Sequence, residues 1–151
     1  MNSTRKISVI IPVYNCEQYI ERCLDSVIEQ NFDDYEIICI NDGSEDKSLQ
    51  ILEKYQENYD FIRIISIRNS GQGHARNLGI ANSCGDYLLF IDADDSLKYN
   101  CLKLMYQNAI DNSSDICVGE IERIYTYKPS LDVYKRQGRI SFAKASARHS
   151  L

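Results

Sequence analysis

Residues 90–97 read FIDADDSL, and Asp92, Asp94 and Asp95 stand directly after the apolar run Tyr87-Leu88-Leu89-Phe90-Ile91. Like charges crowded at the end of a buried strand repel one another unless a cation sits among them or water solvates them all. Carboxylates at i and i+2 after a strand can hold a hard divalent cation, and Mg²⁺ or Mn²⁺ held this way also takes oxygens from a substrate phosphate. A solvated acidic turn, with Asp95 or Ser96 capping the next helix, fits the same residues and is the commoner situation for an isolated DxD. Asp42-Gly43-Ser44 can aim a carboxylate at a base or ribose, with Gly43 permitting close approach, or can simply be a tight turn and a helix cap. Arg76, in Gly73-His74-Ala75-Arg76-Asn77-Leu78-Gly79, can reach a phosphate near a helix start or be an ordinary surface cation. His74 reads as a helix-start residue rather than a catalyst. Tyr14, one of eleven tyrosines, stands where a base could stack.

These residues need elements to position them. The β-branched run at 6–12 reads as a buried strand ended by Pro12. Asn15 can cap the following helix, with Gln18 completing a capping box, and Tyr19, Ile20, Cys23, Leu24, Val27 and Ile28 share its inner face. A second strand falls at 35–40. Ser44 then caps a helix with Glu45 and Asp46 in its first turn and Leu49, Leu52 and Tyr55 inside. Further strands are expected at 61–67, 87–91 and 115–119, with a continuation of the last through 121–127 left open, and further helices at 74–83 and 99–109. The alternation implies a parallel sheet with helices on both faces. Ligands bind beyond the carboxyl ends of such strands, where Tyr14-Asn15, Asp42-Gly43-Ser44 and the aspartates all fall.

Composition narrows the class. With 44% hydrophobic and 26% charged residues the chain is an ordinary globular one, and its net charge of -5 argues against nucleic acid as a partner. Six cysteines without CxxC spacing argue against structural zinc. The apolar run ISVIIPVY is too short for a secretory signal or a membrane span. The expected location is the cytoplasm, with peripheral association at the inner face of the membrane left open.

In order and spacing, IPVYN, NDGSEDKS and GHARNLGIANSCGDYLLFIDADD resemble the nucleotide-sugar half of a family 2 glycosyltransferase of the GT-A fold. The resemblance covers residues 7–109 and favours the metal reading of the aspartates. It implies a three-layer α/β/α, Rossmann-like, mostly parallel sheet with an incomplete C-terminal part. By that resemblance Pro12, Tyr14 and Asn15 line the base pocket and Asp42 hydrogen-bonds the uracil. Arg76 is a basic contact near the nucleotide, Asp92 lies on the ribose side, and Asp94 binds Mn²⁺ or Mg²⁺. The implied reaction moves a sugar from a nucleoside diphosphate, usually UDP, to an acceptor hydroxyl with inversion. The product in the family is a polysaccharide, glycolipid or glycoprotein glycan, and the acceptor is not specified.

Two features depart from the family pattern. Inversion needs a general base, which the family takes from a later segment. Here only Glu120 and Glu122 follow in a plausible strand, neither in a family motif, so the catalytic residue is unassigned. Residues 132–151 carry Lys135, Arg136, Arg139, Lys144 and Arg148 against the single acid Asp132, and DVYKRQ at 132–137 resembles translated sequencing-adapter DNA. The expectation is a truncated GT-A-type domain over 1–131 and a non-native or disordered tail over 132–151. Two rival readings are a donor-binding fragment without transferase activity and a phosphate-accepting receiver-like domain. The second rival wants an isolated acceptor aspartate after a central strand, whereas the acids here follow the fourth.

Overall fold

The computed structural model describes residues 5–120 and 139–144. The elements run β1 (Ile7–Val13), α1 (Ile20–Ile28), β2 (Tyr35–Asp42), α2 (Ser48–Asn58), β3 (Ile62–Ile67), α3 (Gln72–Asn82), β4 (Tyr87–Phe90), α4 (Cys101–Asp111), β5 (Ile116–Glu120) and β6 (Arg139–Lys144). Six strands form one sheet in the order β3-β2-β1-β4-β6-β5. The four on the β3 side are parallel, while β6 runs antiparallel to both β4 and β5.

β1 and β2 are buried along their whole length because helices cover both faces. On one face Val9, Ile11, Ile37, Cys39 and Leu89 pack with Ile20, Cys23, Leu24 and Val27 of α1, Leu52 of α2 and Leu102, Met105 and Ala109 of α4. On the other, α3 lays Ala75 against Ile38 and Ile40. A Cβ at Gly79 of α3 would come within 2.4 Å of Ile10 Cγ2, so the helix lies as close to β1 as a residue without a side chain allows.

Pro12 sits inside this central strand without cost to the ladder. Ile91 N–H donates to Ile10 O at 3.2 Å, so the even-numbered residues of β1 present their backbone groups to β4. The β4 ladder ends at Phe90, opposite Ile10, so Pro12 lies beyond the last residue of β1 paired on that side.

Two helix starts differ from the sequence reading. The residue before α1 is Tyr19 and the one before α2 is Lys47, and neither of these residues caps its helix with a side-chain hydrogen bond. Asn15 and Ser44 are drawn instead into contacts between their two loops. The strand at 116–120 also does not pair with β4. Residues 139–144 lie between them, whereas the sequence places a structureless tail there. Phe142 is fully buried, opposite Leu89 on one side and Cys117 on the other, with its ring stacked on Tyr87 at 4.8 Å and 7°. That aromatic burial is what the small, basic composition of the segment conceals. The extension through 121–127, Glu122, and the rest of 132–151 lie outside the described residues. Among the described residues, no helix is long and apolar enough to cross a membrane.

Candidate functional site

The carboxyl ends of β1, β2 and β4 open onto one edge of the sheet. There the β1–α1 and β2–α2 loops are tied together by reciprocal hydrogen bonds. Asn15 takes a left-handed backbone (φ 49°), its N–H donates to Ser44 Oγ at 3.1 Å, and its Oδ1 accepts from Glu45 N–H at 2.8 Å. Cys16 N–H donates to Ser48 Oγ at 2.8 Å. Glu17 N–H donates to Asp46 Oδ2, and Lys47 N–H returns a bond to Glu17 Oε2, each at 2.9 Å. Desolvation works against the ionised form of Asp46, but the bonds from Ser48 and the Glu17 N–H outweigh it and hold its carboxyl below the usual range. Tyr14 stands beside this clasp with 47% of its surface exposed, free to stack on a planar ligand.

Asp42, at the end of β2, is 4% exposed. Its Oδ1 accepts from Ser70 N–H at 2.7 Å and its Oδ2 from Gly71 N–H at 2.9 Å. Gly43, at φ +72°, makes this possible: a Cβ there would stand 2.8 Å from the backbone nitrogen of Asn69. Gly71, also at positive φ, is the residue before α3, so Asp42 anchors the start of that helix. From the first residue of α3 and one turn on, Gln72 Nε2 and Arg76 Nη2 both donate to Asp92 Oδ1, at 2.9 and 2.6 Å. The Nε of Arg76 is buried and unpaired among the described residues. Asp42 and Asp92, fifty residues apart in sequence, are thus joined through one helix end.

The acidic turn follows β4. Asp95 N–H donates to Asp92 O at 2.9 Å and closes the turn. Asp94 is exposed, and its carboxylate makes no hydrogen bond or ion pair among the described residues. Cys23 lies beneath: burial, then the charges of Asp95 and Asp94, push its thiol up to about 12, so it stays protonated and can donate to Asp92 O at 3.7 Å. Among the described residues no three His, Cys, Asp or Glu side chains cluster as a metal cage. One free carboxylate beside a second, committed one suits Mg²⁺ or Mn²⁺, which keep one or two protein carboxylates and take their other oxygens from phosphate and water.

Of the residues singled out in the sequence, Tyr14, Asn15, Asp42, Arg76, Asp92 and Asp94 gather at this edge. Pro12 is buried in the strand below, opposite Ile40, and forms floor rather than surface. Gln72, Arg22, Ser26 and Gln30 escape sequence reading. Their signal is a polar stripe at four-residue spacing along α1 and the two residues after it, and a glutamine one turn before Arg76, patterns that equally describe solvated helix faces.

A family model for glycosyl transferase family 2 matches residues 8–146. The chain belongs to glycosyl transferase family 2. Similar curated proteins include the poly(ribitol-phosphate) beta-glucosyltransferase of Bacillus spizizenii, 42% identical over 79% of this chain and 19% of its own length. The cholesterol galactosyltransferase of Borreliella burgdorferi is 36% identical over 91% of this chain and 37% of its own. This family 2 chain therefore spans well under half of these relatives. Residues 1–349 of S. aureus TarS share its fold, with a TM-score of 0.79 at 24% identity over 93% of this chain and 47% of that one. The TarS complex with UDP superposes with a TM-score of 0.76 at 30% identity, over 87% of this chain and 40% of that one. The sheet order and the match to TarS make this a GT-A fold, as the sequence motifs imply.

Proposed function

We propose that this chain is the donor-binding part of a glycosyltransferase that moves a sugar from a UDP-sugar to an acceptor hydroxyl with inversion, assisted by Mn²⁺ or Mg²⁺. The observation that carries the reading is the Asp92–Asp94 pair at the end of β4, with Asp92 held by Arg76 and the Asp94 carboxylate unengaged among the described residues. UDP is favoured because the TarS structure similar to this chain holds UDP, and another holds UDP-GlcNAc.

In this reading Tyr14 stacks on the base. Each oxygen of Asp42 accepts one backbone N–H and keeps a lone pair for the uracil N–H. Arg76 and Gln72 occupy Oδ1 of Asp92, so Oδ2 remains to accept from a ribose hydroxyl. Asp94 would hold the cation, which when bound neutralises charge growing on the leaving diphosphate. Attack from the face opposite the leaving group inverts the anomeric carbon, and the base that takes the acceptor proton is unassigned among the described residues. We place the reaction in the cytoplasm; the six free thiols support a reducing compartment. The acceptor is a hydroxyl of a glycan, lipid or protein.

Calorimetry with UDP and ADP, each with Mn²⁺ and with chelator, tests the reading. UDP binding well above ADP and strengthened by Mn²⁺ is the expected result. Equal affinity for the two nucleotides would remove Asp42 as the base reader, and UDP affinity unaffected by Mn²⁺ would remove the metal.

A further inference from the structure

Residues 91–100 connect β4 to α4 without helix or strand, so their backbone groups must find partners elsewhere. The helix α1 and the two residues that follow it supply many of them. From α1, Arg22 Nη2 donates to Asp94 O at 2.6 Å and Cys23 Sγ to Asp92 O at 3.7 Å. Ser26 Oγ accepts from Leu97 N–H at 2.9 Å. Gln30 Nε2 donates to Lys98 O at 3.0 Å while its Oε1 accepts from Leu102 N–H at 3.1 Å. Arg22, Ser26 and Gln30 recur every four residues, so one edge of α1 and its C-terminal extension follows the segment from Asp94 to the start of α4.

The stripe is itself held in place. Ser26 Oγ donates to Cys23 O at 2.7 Å, and Gln30 Nε2 also donates to Ser26 O at 2.8 Å. The Arg22 guanidinium carbon lies 6.0 Å from the Tyr19 ring centroid, within cation–π range. Every bond from the stripe to the segment goes to backbone, so it dictates the path of the chain. At the Asp94 end the bond is short and charge-assisted, and it falls on the residue whose carboxylate has no partner among the described residues.

We propose that this stripe is a template for the acidic turn and that Arg22 is a positioning residue for Asp94. By holding the Asp94 carbonyl, Arg22 orients the backbone that carries the carboxylate, which would hold the divalent cation when one is bound. Its charge also offsets repulsion among Asp92, Asp94 and Asp95. The proposal rests on the metal-assisted reading above.

The test measures UDP affinity by calorimetry with Mn²⁺ and with chelator, for the unsubstituted chain, Arg22→Met and Arg22→Lys, with amide hydrogen exchange at Leu97 and Leu102. Losing one charge-assisted hydrogen bond should cut the Mn²⁺-dependent gain in affinity about tenfold in Arg22→Met. Metal-free UDP affinity and the protection of Leu97 and Leu102 should stay close to those of the unsubstituted chain. Arg22→Lys should recover part of the gain, because the charge returns without the planar fork. A full Mn²⁺ gain in Arg22→Met overturns the positioning role and leaves the metal reading intact. No Mn²⁺ gain in the unsubstituted chain overturns both. Equal losses with and without Mn²⁺, or lost amide protection, would make Arg22 a nucleotide contact or a fold residue and overturn the proposal.

Discussion

Arg76 grips Asp92 through Oδ1 alone, at 2.6 Å, and leaves the second carboxylate oxygen without a partner among the described residues. Both side chains are more than a third exposed, so water screens the pair and it contributes about 1 kcal/mol or less to folding. Its value lies in orientation. Arg76→Ala should lower UDP affinity about tenfold, measured by calorimetry, while the thermal midpoint shifts little. A large fall in the midpoint with UDP affinity intact would assign the pair to stability instead.

Asp42→Asn keeps the shape of the side chain but turns one of its two acceptors into a donor facing a backbone N–H. With the site 4% exposed, that unmet bond should cost about 1–3 kcal/mol in urea unfolding. The start of α3 should loosen, seen as faster amide exchange at Ser70 and Gly71. Unchanged exchange at those amides would show that Asp42 does not anchor the helix.

Asp94→Ala removes an exposed side chain without a partner among the described residues, and stability should stay within about 0.5 kcal/mol. The gain in UDP affinity on adding Mn²⁺ should disappear. A retained gain would mean that other groups hold the cation.

At the opposite edge of the sheet Glu36 accepts from Ser8 Oγ at 2.6 Å, Cys84 N–H at 2.7 Å and Arg63 Nη2 at 2.9 Å. Burial alone would raise its carboxyl, but the bonds from Ser8 and Cys84 and the Arg63 charge outweigh burial and hold it below the usual range. A depressed carboxyl stabilises the fold fully above its unfolded value of about 4.3, and that contribution is lost as the pH falls through the lower folded value. Glu36→Gln should therefore be destabilised at neutral pH, and the gap from the unsubstituted chain should close in acid. Parallel stability curves from pH 7 down to pH 3 would contradict this.

Phe142→Ala should cost about 3–5 kcal/mol, because a fully buried ring stacked on Tyr87 is removed from between two strands. An unchanged thermal midpoint would favour the reading of 132–151 as a foreign addition that carries no part of the fold.

Runs of apolar residues separated by turn chemistry determine the alternating elements by themselves. Residues 7–13 and 35–42 lack a polar alternation because both of their faces are covered, and that pattern alone argues for a parallel sheet. The helix at 72–82 and the placement of Asp42 and Asp92 at strand ends are legible for the same local reason. Helix starts are less so. Asn15 and Ser44 have the right chemistry for caps, but the neighbouring loop offers each of them a competing bond that no local pattern announces.

The sequence by itself therefore determined the fold class, the family and the strand ends that carry the polar residues, since each depends on local periodicity and motif order. Only the tertiary structure decided what those residues touch. It committed Asp42 to Ser70 and Gly71, brought Gln72 and Arg76 onto one oxygen of Asp92, and set the edge of α1 against the backbone of 92–102. It also placed residues 139–144 between β4 and β5. The physical reason is shared: each is a pairing between segments far apart in the chain, set by packing geometry, and residue type at either end does not name its partner.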